Sequence, residues 1–362
     1  MFSKFCNRLR NILNFSRKKN GAAPFSLDLY FQNLPNCLNL ARALLAFIVC
    51  ISHVGWIFGK DNYQLRSLGV YSVTIFFGLS GFLIYQSSVK TNGLMNFALK
   101  RVRRIFPAFI LVLATTSLVY YPMYIYMSTG SMASVDRKEQ LSYFVSNLSL
   151  QINKSEIASS LESSGTSVWN PSLWTLKYEF LLYFVCYLMS RLIKNLSKIL
   201  VPILTLLFAI IANNFQSYGF AFEFSYLAQF FFLGMTIFLY RKKIVISALL
   251  VIILIVGLGL SYFVIEKFTI TSSILLLLTL IFCIRIQVPY FKKVDYSYGL
   301  YLHAGPITHL VVLFVLKAQL SVWFVYALSA SLTVVAASIS WHLVESRFTN
   351  RKTNARSENT GM

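Results

Sequence analysis

Three side chains in this 362-residue sequence sit where lipid should be: Arg42, His53 and Glu179. An ionisable group inside a transmembrane helix costs from about 2.5 to over 10 kcal/mol, so each one calls for a reason. Arg42 and His53 are eleven residues apart. At 100° and 1.5 Å per helical residue they fall about 20° from in phase and about 16 Å apart along one face. That spacing places Arg42 near one membrane surface and His53 past mid-depth. An imidazole so held can serve as a general base, and a carboxylate can orient and charge-stabilise it. Glu179 closes the block Trp174-Thr175-Leu176-Lys177-Tyr178-Glu179 and is expected to approach His53 from the opposite direction at comparable depth. The plainer readings are an arginine snorkelling to headgroups, a histidine satisfied by a neighbouring helix and a Lys177–Glu179 interfacial pair.

Three further blocks carry polar or small residues at membrane depth. Lys100-Arg101-Val102-Arg103-Arg104-Ile105-Phe106-Pro107 puts Arg101 and Arg104 at i and i+3, on one helical face. Paired guanidinium forks suit phosphate groups, although a plain positive anchor would read the same way. Pro107 is expected in the first turn of its helix, where the missing N–H is no loss. Ile75-Phe76-Phe77-Gly78-Leu79-Ser80-Gly81-Phe82 joins small residues to aromatics, which lets another helix or a ligand approach closely. Ser297-Tyr298-Gly299-Leu300-Tyr301-Leu302-His303 brings a second histidine into an apolar segment, whereas His309 and His342 read as structural.

The elements that must position these residues follow from composition. Hydrophobic residues make up 57% of the chain and charged residues 12%, with a mean hydropathy of +0.63. A soluble domain carries about 25% charged residues, so a cytosolic globular enzyme is excluded. Windows of membrane-crossing length fall at 39–58, 69–88, 105–127, 173–190, 198–213, 222–240, 244–265, 268–284, 296–316 and 321–344. The fold class is therefore all-α, a polytopic membrane protein of about ten transmembrane helices. With segments assigned alternately, one side holds 24 basic residues against four acidic, and the other holds seven of each. By the positive-inside rule both termini are cytoplasmic. The net charge of +21 then reads as topology and contact with anionic lipid rather than nucleic-acid binding. The expected division is a basic cytoplasmic segment at 1–38, a transmembrane domain at 39–345 and a cytoplasmic tail at 346–362. One long external loop spans about 128–172, where 13 of 45 residues are Ser, with Leu141 to Leu150 as a short amphipathic stretch. The first 38 residues lack a signal-peptide pattern. Five cysteines without CxxC pairing indicate neither a disulfide framework nor a metal site.

Taken together, these blocks resemble the membrane acyltransferase-3 family of sugar O-acyltransferases, such as bacterial O-antigen and exopolysaccharide O-acetylases. The likeness rests on Arg42-x10-His53, the FF-x-LSGF block at Phe76–Phe82, R-x-x-R-I-x-P at Arg101–Pro107, W-x-L-x-x-E at Trp174–Glu179 and Ser297–His303, in that order over about residues 36–348. The closing segment His342-Leu343-Val344-Glu345-Ser346 departs from it, with Ser where relatives often have Pro, and His303 is offset from the histidine of some relatives. The resemblance implies that Arg42 and His53 are essential, with His53 the catalytic histidine, that Arg101 and Arg104 bind the acyl donor, and that Glu179 and Ser80 belong to the site. Gly78, Ser80 and Gly81 would give the donor's arm room, with Phe77, Trp174, Tyr301 and His303 along the lining. No bound cofactor or metal is expected. Acetyl-CoA or another acyl-CoA is the implied co-substrate, a surface or lipid-linked saccharide the acceptor, and the bacterial inner membrane the location. A transporter or flippase of a glycan or small anion is the rival reading, although the repeats such folds carry are not evident between the two halves.

Overall fold

Backbone amides in hydrocarbon have no water to pair with, so apolar windows must close their hydrogen bonds internally. The computed structural model describes Leu27 and residues 37–349, apart from 61, 162–163, 193, 215–218, 266, 287, 289 and 293. The expected N-terminal segment and C-terminal tail lie almost wholly outside the described residues. Helices occupy all ten windows, and no strand occurs among the described residues. They comprise α1 (Leu38–Ile57), α2 (Tyr63–Lys90), α3 (Leu94–Thr115), which runs on into α4 (Tyr121–Thr129), α6 (Leu176–Arg191), α7 (Lys194–Asn214), α8 (Phe220–Tyr240), α9 (Ala248–Phe263), α10 (Phe268–Arg285), α11 (Ser297–Lys317) and α12 (Val322–Ser340) with α13 (Ser346–Thr349). Eight of the helical segments are long and apolar enough to cross a membrane. The two shorter ones, α6 and α9, have 16 residues each. A 3-10 turn over Pro171–Thr175 precedes α6 directly and lengthens it.

Two helices contain single π-helical turns, a feature often found at functional sites. Thr116–Tyr120 joins α3 to α4 and delivers Tyr120, whereas Trp341–Glu345 joins α12 to α13 and delivers Glu345. Pro107 departs from expectation. Helix α3 starts at Leu94, well before the apolar window, so Pro107 lies inside it rather than in its first turn. The polar first turns of α3, which a hydropathy window misses, carry Arg101 and Arg104 as helical residues.

Helix α1 packs on α2, α11 and α12, and α2 packs in turn on α8. The α2–α8 crossing is close because both helices present glycine. A Cβ on Gly81 would lie 1.9 Å from the Phe231 carbonyl oxygen, and one on Gly234 the same distance from the Gly78 carbonyl oxygen. Gly81 is thereby corrected: the room it leaves is filled by the α8 backbone, so it seats a helix rather than a donor.

The described residues of the 128–172 segment include α5 (Arg137–Asn147), capped by Asp136. Its second half returns over the bundle. Trp169 is fully buried and packs on Tyr121, Tyr124 and His309, while the Gly165 amide donates to the Ile57 carbonyl at 2.9 Å. A polar, serine-rich stretch thus becomes a cap over one end of the helices.

Candidate active site

The basic residues at the start of α3 surround a cavity of about 430 Å³. Its walls include Arg42, Ser80, Ser87, Arg101, Arg104 and Tyr183. The sequence-predicted pair Arg101 and Arg104 is therefore brought together with Arg42 and Ser80, from three different helices.

One carboxylate organises this cluster, and it was not among the predicted site residues. Asp295 Oδ2 accepts from Arg42 Nη1 at 2.8 Å and from Arg104 Nη2 at 2.6 Å. The other oxygen accepts from the Ser297 amide at 3.1 Å and hydroxyl at 2.5 Å, just where α11 begins. Burial would push the Asp295 carboxyl up, but Arg104, Arg42 and these two hydrogen bonds hold it below the ordinary carboxylate range. Arg104 also faces Glu345 at 3.5 Å and lies over the rings of Tyr298 and Trp341. Glu345 in turn accepts from the Ser340 hydroxyl at 2.9 Å, within the π turn.

Arg101 is left in a different condition. Among the described residues it has no carboxylate partner. Its guanidinium donates to the Ser87 hydroxyl at 3.3 Å and lies near the rings of Phe97 and Tyr183, and its Nε is buried without a partner. Arg104 and Arg101, three residues apart on one helix, are thus a paired cation and an unpaired one.

A second cavity, about 20 Å³, lies deeper. Two contacts make the partition between it and the first. Arg42 lies over the Phe76 ring at 4.8 Å, and the Tyr183 hydroxyl donates to Glu179 Oε1. Arg42 and Tyr183 face the large cavity; Phe76 and Glu179 face the small one. Phe77 and Tyr301 line the small cavity as well, with Tyr301 stacked on Phe76 and its hydroxyl 2.9 Å from that of Thr175.

The expected Glu179–His53 pairing is not formed. Tyr183 lies at i+4 on the same helix, the geometry in which side chains meet, so the Glu179 carboxylate is satisfied locally and the arginines supply its nearest charges. His53 is oriented by its own helix instead. Its Nδ1 lies 2.8 Å from the Val49 carbonyl oxygen. A carbonyl only accepts, so Nδ1 carries the proton and a neutral ring presents a lone pair on Nε2, as a general base requires. His53 lines neither cavity. The link is Val49, whose side chain borders the small cavity and whose carbonyl holds the imidazole.

The remaining predicted residues are more peripheral. Trp174 packs edge-on against Tyr178 and borders neither cavity. His303 is buried, with Nδ1 3.2 Å from the Tyr120 hydroxyl and Nε2 without a partner. His309 is structural: Nε2 donates to the Val168 carbonyl at 3.0 Å and Nδ1 meets the Ser164 hydroxyl at 3.1 Å, pinning the external cap to α11.

This arrangement holds a basic vestibule of about 430 Å³, a charged collar and a base-competent histidine. The acyltransferase-domain family model, acyltransferase-3, matches residues 36–342. A protein named O-acetyl transferase from Shigella phage Sf6 is 29% identical over 341 residues, covering 87% of this chain and 96% of that relative. No solved structure is a significant match.

Proposed function

Because the chain belongs to the acyltransferase-3 family and is an acyltransferase built into a helical membrane domain, we propose that it transfers an acetyl group from cytosolic acetyl-CoA to a hydroxyl of a cell-surface or lipid-linked saccharide. The observation that carries this reading is Arg101, a cation without a carboxylate partner among the described residues, in a basic cavity of about 430 Å³. A guanidinium with unused donors is suited to a phosphate, and CoA brings several. The name of the phage relative supports acetyl as the group transferred. The lopsided distribution of Lys and Arg supports a cytoplasmic side for this cavity, and the bacterial inner membrane is the location that fits a cytosolic donor and an external acceptor.

In the proposed reaction the saccharide hydroxyl oxygen attacks the thioester carbonyl carbon. His53 Nε2 accepts the hydroxyl proton as the C–O bond forms. The C–S bond then breaks and the thiolate of CoA leaves, taking the proton from His53. Ester and free thiol are the products, and His53 ends as it began. Arg42, at the collar, sets a positive charge beside the path that the donor takes toward His53.

The test uses purified protein in proteoliposomes, radiolabelled acetyl-CoA and de-O-acetylated bacterial lipopolysaccharide, with CoA thiol release as a second readout. The wild-type protein is expected to acetylate the saccharide. His53→Ala is expected to lose about 10²–10⁴ in rate, the contribution of a positioned base, while keeping its thermal unfolding profile. A folded His53→Ala protein that transfers acetyl at the wild-type rate would remove the histidine from the mechanism.

A further inference from the structure

The cavity beyond the collar has properties the donor's phosphates do not explain. Most of its wall is aliphatic or aromatic: Leu45, Val49, Val73, Phe76 and Phe77 among others. The Arg42–Phe76 and Tyr183–Glu179 contacts lie between it and the vestibule. Its volume of about 20 Å³ is of the order that one water-sized group occupies. A polar site of this size would hold a water, but water needs two to four polar partners. Here Tyr183 takes one oxygen of Glu179, Thr175 takes the Tyr301 hydroxyl, and Ser72 adds one more polar side chain to a wall that is otherwise apolar. Tyr298, which also lines the cavity, carries a buried hydroxyl with no partner. An apolar chamber of one-methyl size with a spare donor matches a short acyl group, whose methyl prefers the apolar wall and whose carbonyl oxygen accepts a hydrogen bond.

We infer that this cavity is the acyl-group pocket, and that Leu45 and Val73 in its wall limit the transferred group to two carbons. The inference rests on the proposed acyl-CoA donor and names the feature that selects among such donors. Position supports it: Arg42 stands at one end, and Val49, which holds His53 by its carbonyl, borders the other. A thioester whose arm passes the collar would therefore reach the pocket before the histidine. Each additional methylene would have to displace packed side chains, and discrimination by one methylene in an apolar pocket amounts to about 10–200-fold.

Calorimetric titration of the full-length protein in detergent with CoA, acetyl-CoA and butyryl-CoA tests this without an acceptor. In the wild-type protein butyryl-CoA is expected to bind at least about tenfold more weakly than acetyl-CoA. Val73→Ala and Leu45→Ala, on different helices, are each expected to bring the two dissociation constants within about threefold by tightening butyryl-CoA. Measuring a ratio within each variant removes any general loss of active protein, and two variants guard against one failing to fold. Equal affinities of the wild-type protein for all three ligands would overturn the pocket while leaving the donor site standing, and so would ratios unchanged in both folded variants. Absence of binding to all three, CoA included, would instead overturn the proposed donor itself.

Discussion

The two ends of the helical bundle handle polar groups in opposite ways. At the capped end, residues of the 128–172 segment that look solvent-bound in sequence are tied back to the helices: Val168 and Ser164 to His309, the Asn170 amide to the Leu302 carbonyl, and the Gly165 amide to Ile57, although Asn170 Oδ1 and Ser172 Oγ stay unpartnered. At the basic end the cations crowd around an open cavity, and donors on Arg42 and Arg101 remain unused. Buried polar groups are normally satisfied, so unused ones mark either strain or a place kept for a ligand. Loop-to-helix pairing at one end builds a scaffold; cations gathered around a cavity at the other leave capacity for a phosphate-bearing donor. The contrast recurs inside one motif, where Arg104 pairs with Asp295 and Glu345 while Arg101 has no carboxylate partner among the described residues.

The largest effect is expected where that contrast is most sharply drawn. Asp295→Ala leaves Arg42 and Arg104 facing each other across a buried gap, and breaking a buried pair typically costs about 3–5 kcal/mol. Thermal unfolding in detergent should show the loss. Asp295→Asn keeps the shape and the Ser297 contacts and should lose less. If Asp295→Ala unfolds with the wild-type midpoint, the carboxylate does not organise the basic end.

Next in size is the split between the two arginines. Arg101→Ala should weaken acetyl-CoA binding by about 1.5–3 kcal/mol, the worth of a hydrogen bond to a charged group, or roughly 10–150-fold in Kd, with little change in unfolding temperature. Arg104→Ala should do the reverse in emphasis, lowering the unfolding temperature because Asp295 and Glu345 are left without their shared cation. Titration and melting of both variants side by side would settle it, and interchangeable behaviour would erase the distinction.

Much of this was legible beforehand. Each of the ten hydropathy windows falls on a helix, eight of them long and apolar enough to cross a membrane, and the i, i+3 spacing put Arg101 and Arg104 on one face. Asp295 was readable only as one of four acidic residues on the basic side, because its importance comes from α1 and α3 converging on the start of α11 from 253 and 191 residues away in sequence. The Glu179–His53 pairing failed for a local reason: depth alone was used to match them, and Tyr183 one turn along offered a nearer partner. Gly81 was readable as small but not as facing α8, since small residues serve helices and ligands alike. The cap over the external end is invisible to composition, because serine-rich sequence reads as loop until its hydrogen bonds are traced.

A smaller effect belongs to the capped end. His309→Ala removes two hydrogen bonds that tie the loop to α11, and leaving buried partners unsatisfied costs about 1–3 kcal/mol. The expected signs are faster amide exchange around residues 164–169 and a modestly lower unfolding temperature, with the Kd for acetyl-CoA unchanged. A change in donor affinity would mean that the two ends are coupled rather than separate.

The smallest effect is confined to acid. The Asp295 carboxyl titrates below its ordinary value in the folded protein because Arg104 and Arg42 outweigh its burial. A carboxylate depressed by folding lends stability that is fully present above its unfolded value, about 3.9, and is lost as pH falls through the folded one. Unfolding temperature should therefore be insensitive to Asp295 titration between pH 5 and 8 and fall below about pH 4. Asp295→Asn should flatten the part of that acid slope which this residue contributes. An Asn variant with an acid slope as steep as the wild type would show that the proton goes elsewhere, and that the basic end is held together by something other than this carboxylate.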